Sequence, residues 1–400
     1  MDLERALYEK SQVMASSLPQ IFNAEKQGDR QRLSRLIRGH AIRHVSDDYE
    51  EQMREYFGIL NPGIVYAHGF EEKFQAYFTN LRKKKSLWQS GRWVYFPWLS
   101  ALSHILEDKE FQMVRTARNR NLITADEQKK FYNSVIGIAG LSVGNSVALA
   151  IVLSGGGRHM RLADYDRLAL SNTNRIRAGV ESLGVSKAEM TARQIYALNP
   201  YARIDLFPEG LTDQNMKKFF EGPPKANVII EEIDNLAIKH RVREYAKRLG
   251  IPVIMGTDDG DNAVVDIERY DLYPKTPIFH GRLGKVSYEE LNALPKMKAG
   301  FTVARHVGPE NVPLRMQESL AEIGKTIVTW PQLGGSALLN ACALAYCSRK
   351  ILTGQPLVSN RAIISLDEKL EPSYDSKPRR KKRVAVARRF AKKIDEVLHV

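Results

Sequence analysis

Ser134 to Ala139 is a short β-branched run that ends in a glycine turn, Gly140-Leu-Ser-Val-Gly144-Asn, and continues as a helical stretch from Asn145 to Ser154. A strand that enters a helix through so few residues needs the backbone freedom of glycine and leaves the helix N-terminus open at the turn. The same alternation continues along the chain. Met160 to Ala163 reads as a strand, and Lys187 to Leu198 as a helix that starts at Ser186 and stops at Asn199-Pro200. Ala202 to Phe207 and Asn227 to Glu231 follow as strands, Asp234 to Leu249 as a helix, and Pro252 to Met255 as another strand. Strands alternating with helices of this length imply parallel βαβ units.

The expected fold class is therefore α/β: a Rossmann-like, doubly wound, mostly parallel sheet with an N-terminal, mainly helical accessory region. The 400 residues divide at this level into 1–115, the accessory region; 116–355, which carries the alternation; and 356–400, a basic tail. In the first region, Asp47 to Phe57 has the acidic first turn that a helix prefers, and Gly91 to Trp98 is an aromatic run expected to pack this region onto the next one. Beyond Gly256 the pattern loosens; Ala263 to Tyr270 reads as a further strand and Gly334 to Leu352 as a closing helix.

The glycine turn admits several ligand readings. Gly140 and Gly144 let the backbone approach a phosphate, and the following helix offers amide donors. Gly140-x-Ser142-x-Gly144 also matches the nucleophile elbow of serine hydrolases, for which His280, His306 or His399 would have to supply the base. A dehydrogenase would use an acid about 20 residues on for the ribose of NAD, and Asp164 stands there, equally placed for ATP. A tight turn with no ligand is the plain alternative.

The next segment separates these readings. Asp164-Tyr-Asp166-Arg-Leu-Ala-Leu-Ser171-Asn172-Thr-Asn174-Arg175 resembles the D-x-D-x(4)-S-N-x-x-R signature of the ThiF/MoeB-type, ubiquitin-activating-like adenylyltransferases. Ser186-Lys187, Asn199-Pro200, Ile233-Asp234-Asn235 and Ile251-Pro252 follow in the family's order, and Arg118-Asn-Arg120-Asn resembles its upstream arginine motif. The resemblance covers about Arg118 to Tyr270 and makes 116–355 a ThiF-like adenylation domain. It implies ATP and Mg²⁺ as cofactors and activation of a carboxylate as an acyl-adenylate. Arg175, Lys187 and Arg120 are then the cations on the phosphates, with Arg120 supplied in cis or across a homodimer. Gly140, Ser142 and Gly144 cradle the nucleotide, Asp164 accepts from its ribose, Asn172 contacts the nucleotide or its phosphates, and Asp166 contacts it or braces the loop. Asp234 is the expected metal ligand. The chemistry agrees, since two anionic reactants need fixed cations between them. On a solvated face the same arginine and lysine would be structural only.

The chain also departs from the family. Cys342 and Cys347 are its two cysteines, too few for the paired CxxC zinc site of many relatives, and none lies in the loop after Gly256 that would accept an acyl group. Both read as buried structural cysteines on an apolar helix. No zinc is expected. The partner implied is a carboxylate-bearing peptide or a ubiquitin-like or sulfur-carrier protein. An NAD(P)-dependent oxidoreductase and a non-catalytic nucleotide-sensing protein remain as alternatives. The net charge of +14 is concentrated in the tail: ten basic residues and no acid lie between Lys377 and Lys393, and subtracting them leaves +4. Val384 to Leu398 carries Ala387, Phe390, Ala391, Ile394, Val397 and Leu398 at helical spacing, a basic amphipathic helix on a solvated end with a weak nucleic-acid contact as its possible role. No apolar run reaches membrane-span length, and Met-Asp-Leu-Glu-Arg does not begin a secretory signal, so a cytoplasmic location is expected.

Overall fold

The computed structural model describes Leu3 and residues 16–399; of the opening Met-Asp-Leu-Glu-Arg, the other four residues lie outside it. The chain folds as two compact units, residues 1–125 with 192–202, and residues 126–191 with 203–400.

The first unit is richer than its helical periodicity implies. It has helices at Gln27–Arg38, Tyr49–Leu60, Phe70–Lys84 and Asp108–Arg115, together with a four-stranded sheet. Strands β1 (Gln20–Phe22), β2 (His44–Asp47), β3 (Arg92–Phe96) and β4 (Ala101–Ile105) lie in the order β1-β3-β4-β2. The aromatic run supplies β3, an inner strand. Its Trp93 and Tyr95 bury within this unit beside Phe22, Leu33 and Leu102, so the mainly helical description omits a sheet that holds one of the unit's cores. Short strands separated by helices leave little periodic signal.

In the second unit β5 (Val135–Ala139), β6 (His159–Ala163), β7 (Arg203–Phe207), β8 (Val228–Glu231), β9 (Val253–Asp259), β10 (Asn262–Glu268) and β11 (Arg361–Ile364) form one sheet in the order β11-β10-β9-β8-β5-β6-β7. The pairs β5/β6, β6/β7, β5/β8 and β8/β9 are parallel; β9/β10 and β10/β11 are antiparallel. The expected doubly wound, mostly parallel sheet is what the chain forms. β5 and β6 are buried along their whole length, as strands covered on both faces must be. The Val143–Leu153 helix is buried almost all round and packs on the Gly334–Leu352 helix. That closing helix presents Ser336, Ala337, Asn340 and Ala341 inward, small residues that permit close approach. Strand order reverses between β5 and β8, the switch point at which such sheets open a crevice.

The described residues of the basic tail, 356–399, are not a free end. β11 is an edge strand of the main sheet, and the Lys377–His399 helix packs on the Lys296–Val307 and Leu314–Leu320 helices. Val386, Phe390 and Ile394, one stripe at i, i+4, i+8, are buried, and Phe390 and Ile394 share a core with Val264, Ala304, Val307, Val312 and Met316. The basic residues occupy the remaining faces. Among the described residues no helix is long and apolar enough to cross a membrane. Cys347 is buried, with its thiol pushed up to about 11 by burial, whereas Cys342 is exposed. Five positions along one helix turn the two onto different faces.

Two stability predictions arise here. Ile394→Ala should destabilise the second unit by about 2–4 kcal/mol in urea unfolding, where a free tail would show no change. The second concerns Asp259, which is buried at the end of β9 with Oδ2 unpartnered among the described residues. Burial, and then the charge of Asp367, push its carboxyl up to about 7 from an ordinary 3.8. The folded chain therefore holds a proton that the unfolded chain releases, and this group's contribution to stability is lost as pH rises from about 4 to about 7. Asp259→Asn should leave thermal stability at pH 4 nearly unchanged and raise it at pH 8, by on the order of 1–3 kcal/mol.

Candidate nucleotide site at the carboxyl ends of the parallel strands

β5 leaves the sheet at Gly140, whose φ of +86° is a left-handed conformation. A side chain there would overlap the Glu232 carbonyl group just beyond β8. Only glycine meets both conditions. Gly144, in the first turn of the Val143–Leu153 helix, faces Ile138, whose methyl would stand 3.0 Å from an added Cβ. That helix takes no side-chain cap from Ser142. Its N-terminal amides and positive dipole end are thus directed at the turn without a carboxylate or hydroxyl cap.

Asp164 follows β6 and is buried. Its Oδ2 accepts from the Leu141 backbone N–H at 2.6 Å and its Oδ1 from the Asp166 N–H at 2.8 Å. Burial raises the pKa of this carboxyl above the ordinary range, and Lys187 and the two amides pull against that rise. Asp164 therefore stitches the glycine turn of β5 to the end of β6. Each of its oxygens retains a further lone pair.

Lys187 opens the Lys187–Leu198 helix, is buried, and donates from Nζ to Asp166 Oδ2 at 2.8 Å. Asp166 is half exposed, so the pair has one wet end. Arg175 donates through Nε to Ser142 Oγ at 3.0 Å and through Nη1 to Asn174 Oδ1 at 3.0 Å. Burial depresses the guanidinium's pKa, and the charges of Asp234 and Asp258 act against that. Asn172 turns inward on its own loop, its Oδ1 accepting from the Ala169 N–H at 3.0 Å, which closes the short turn Leu170–Asn172. Asp234 is exposed, immediately before Asn235, which caps the Leu236–Leu249 helix through Ile238 N–H at 3.0 Å. Arg120 belongs to the first unit, where its backbone bridges to that of Ile123.

The hydrolase constellation is not assembled among the described side chains. Ser142 Oγ is held by Arg175, His280 Nε2 meets the Ile267 carbonyl at 3.0 Å, and His306 Nε2 meets Asp266 at 3.1 Å. The side chain of His399 lies outside the described residues.

Sequence reasoning missed a second wall. Glu232 accepts from the Gly256 N–H at 2.7 Å, bridging the end of β8 to the middle of β9, and burial raises its carboxyl well above the usual range. Asp258 accepts from Asn340 at 2.6 Å and Gln332 at 3.1 Å. Asn174 in turn donates to the Gln332 carbonyl at 3.0 Å, and Gly334 passes so close to the Asn174 carbonyl that no side chain fits. The segment before the closing helix thereby braces the Arg175 loop. A polar Asn340 in the mostly apolar first half of that helix was the available sign. Among the described residues no three histidines, cysteines or carboxylates form a metal cluster.

The ThiF family model matches residues 116–312. An uncharacterized protein of Mycobacterium tuberculosis, MT1398, is 37% identical over 313 residues, covering 78% of this chain and 43% of its own length. The sulfur carrier protein adenylyltransferase of Thermus thermophilus is 29% identical over 151 residues, 38% of this chain and 51% of that protein. The match therefore spans about half or less of each of these relatives. The crystal structure of E. coli MccB superposes with a TM-score of 0.43 at 19% identity, covering 60% of this chain and 61% of that one. The part of the chain that carries this site, residues 116–312, is thus a ThiF-family domain.

Proposed function

We propose that the chain is an ATP- and Mg²⁺-dependent adenylyltransferase that activates a carboxylate as an acyl-adenylate. The observation that carries this reading is the convergence of four segments at the ends of β5 and β6: the Leu141 amide on Asp164, Arg175 on Ser142, and Lys187 on Asp166. The donor set fits a nucleotide. An uncapped helix N-terminus and a guanidinium suit phosphates, and a buried carboxylate with spare lone pairs suits ribose hydroxyls.

In the proposed reaction a carboxylate oxygen forms a bond to the α-phosphorus of ATP, and the bond from that phosphorus to the bridging oxygen breaks. Pyrophosphate leaves with the electron pair, and no proton is transferred. Negative charge accumulates on the departing group, and Arg175 and Lys187 would stabilise it. Lys187 would exchange its bond to the exposed end of Asp166 for one to phosphate. Asp164 would orient the ribose, Gly140, Ser142 and Gly144 would line the phosphates, and Asn172 would hold the Arg175 loop in shape. Mg²⁺ held by Asp234 and phosphate oxygens would neutralise further charge, a single carboxylate being enough when phosphates complete the shell. We take the carboxylate to be the C-terminus of a peptide or small protein; the T. thermophilus relative's name, a sulfur carrier protein adenylyltransferase, supports a small protein as its source. A homodimer that delivers Arg120 from a second copy, in a cytoplasmic setting, completes the reading.

ATP–pyrophosphate exchange with peptides and ubiquitin-like proteins as carboxylate donors tests it. Arg175→Ala should lower exchange by about 10²–10³-fold, and Asp234→Ala should abolish it. Binding of nicotinamide dinucleotides without ATP overturns the reading, and ATP binding with no exchange for any donor replaces it with a sensor. Mixing inactive Arg120→Ala and Asp234→Ala chains should restore exchange if Arg120 crosses the dimer; no recovery places it in cis.

A further inference from the structure

We propose that the exposed face of the Lys377–His399 helix is a docking surface for the phosphate backbone of a polynucleotide. The surface is independent of the adenylation reading. Ten lysines and arginines and no acid lie between Lys377 and Lys393. At 1.5 Å per residue that stretch is a rod about 24 Å long. It is held to the second unit by Phe390 and Ile394 in the shared core, so its charges are presented on a fixed support.

Arg379 pairs with Glu371, Arg383 with Asp375 at 3.7 Å and Lys392 with Glu396 at 3.8 Å. Lys377, Arg380, Lys381, Lys382, Arg388, Arg389 and Lys393 are exposed and have no ion pair among the described residues. Seven cations on one helix therefore face solvent without an intramolecular counter-charge. Along one side runs a groove of 490 Å³ lined by Arg380, Arg383 and Arg388, with Pro309 and Glu310 also on its wall. Three guanidinium groups spaced along one wall can grip successive phosphates bidentately, and Glu310 confines an anion to that arginine side.

The chemistry of the helix selects the partner. A membrane-surface helix inserts an apolar face between lipids, but this helix has already buried Val386, Phe390 and Ile394 in its own domain. A dense one-signed row of charge with no aromatic residue among the exposed cations matches a uniformly charged backbone and reads no bases. Binding is therefore expected to be sequence-independent.

Fluorescence anisotropy of the full chain with a labelled single-stranded RNA and a DNA duplex, each about 20 nucleotides long, tests the proposal. Binding of either polymer should weaken about a hundredfold between about 50 and 200 mM salt if some four phosphates are engaged. The triple variant Lys381→Glu, Arg388→Glu, Arg389→Glu should lose at least about tenfold in affinity with its melting temperature unchanged, since all three side chains are exposed. No binding of either polymer at about 50 mM salt overturns the proposal. Unchanged affinity in the triple variant overturns it as well. Equal or tighter binding to polyglutamate, or to phosphatidylserine vesicles, overturns it in favour of an acidic-protein or membrane surface.

Discussion

At Gly140 the main chain runs against the Glu232 carbonyl group with no room for a side chain, and everything at the site depends on that approach. It lets β5 turn into a buried helix without a cap, and it brings the ends of β5 and β8 together where strand order reverses. Asp164 fastens the same turn from the other side through the Leu141 amide. The turn is therefore held between two neighbouring strands, and the cations that converge on it are attached to a rigid base. A site built at strand ends in this way has its geometry set by the sheet, with loops supplying only the reactive groups.

The ends of β8 and β10 are held by a second, more expensive arrangement. Arg243 is wholly buried and donates to Glu231 and to Glu268, at 2.6 Å each, and Lys239 adds a bond to Glu231 at 3.0 Å. Burial alone would raise the Glu231 carboxyl, but Lys239 and Arg243 hold it below the usual range. Buried ions repay their desolvation only when fully paired, and losing one partner leaves a stranded charge. The network ties the end of β8, the Leu236–Leu249 helix and β10 into one block, next to the exposed Asp234 that follows β8.

Much of the site was legible from spacing, because the residues that bear it follow strand ends in order: Gly140 after β5, Asp164 after β6, Asp234 after β8. The other wall was not. Glu232, Asp258, Gln332 and Asn340 come from separate parts of the chain, and their pairing is set by how the closing helix packs on β9 and β10. The first unit's sheet was hidden for a related reason, since β1 has only three residues and β2 four, too few for a period to show. The two cysteines likewise looked equivalent until the helix turned one outward.

The amino-acid order by itself determined the parallel sheet, the ThiF-type succession of motifs and the basic composition of residues 377–393, because each is written in local periodicity or short spacing. Tertiary structure decided what those features became. Phe390 and Ile394 found a core beside Val264 and Val307, which converted a basic end into a fixed, charged surface of the domain. Asp259 and Glu232 acquired their raised carboxyls only where folding withdrew water from them. Periodicity along a chain reports which face of an element is apolar; which element covers that face, and which charges lose their solvent as a result, is settled by packing among residues far apart in sequence.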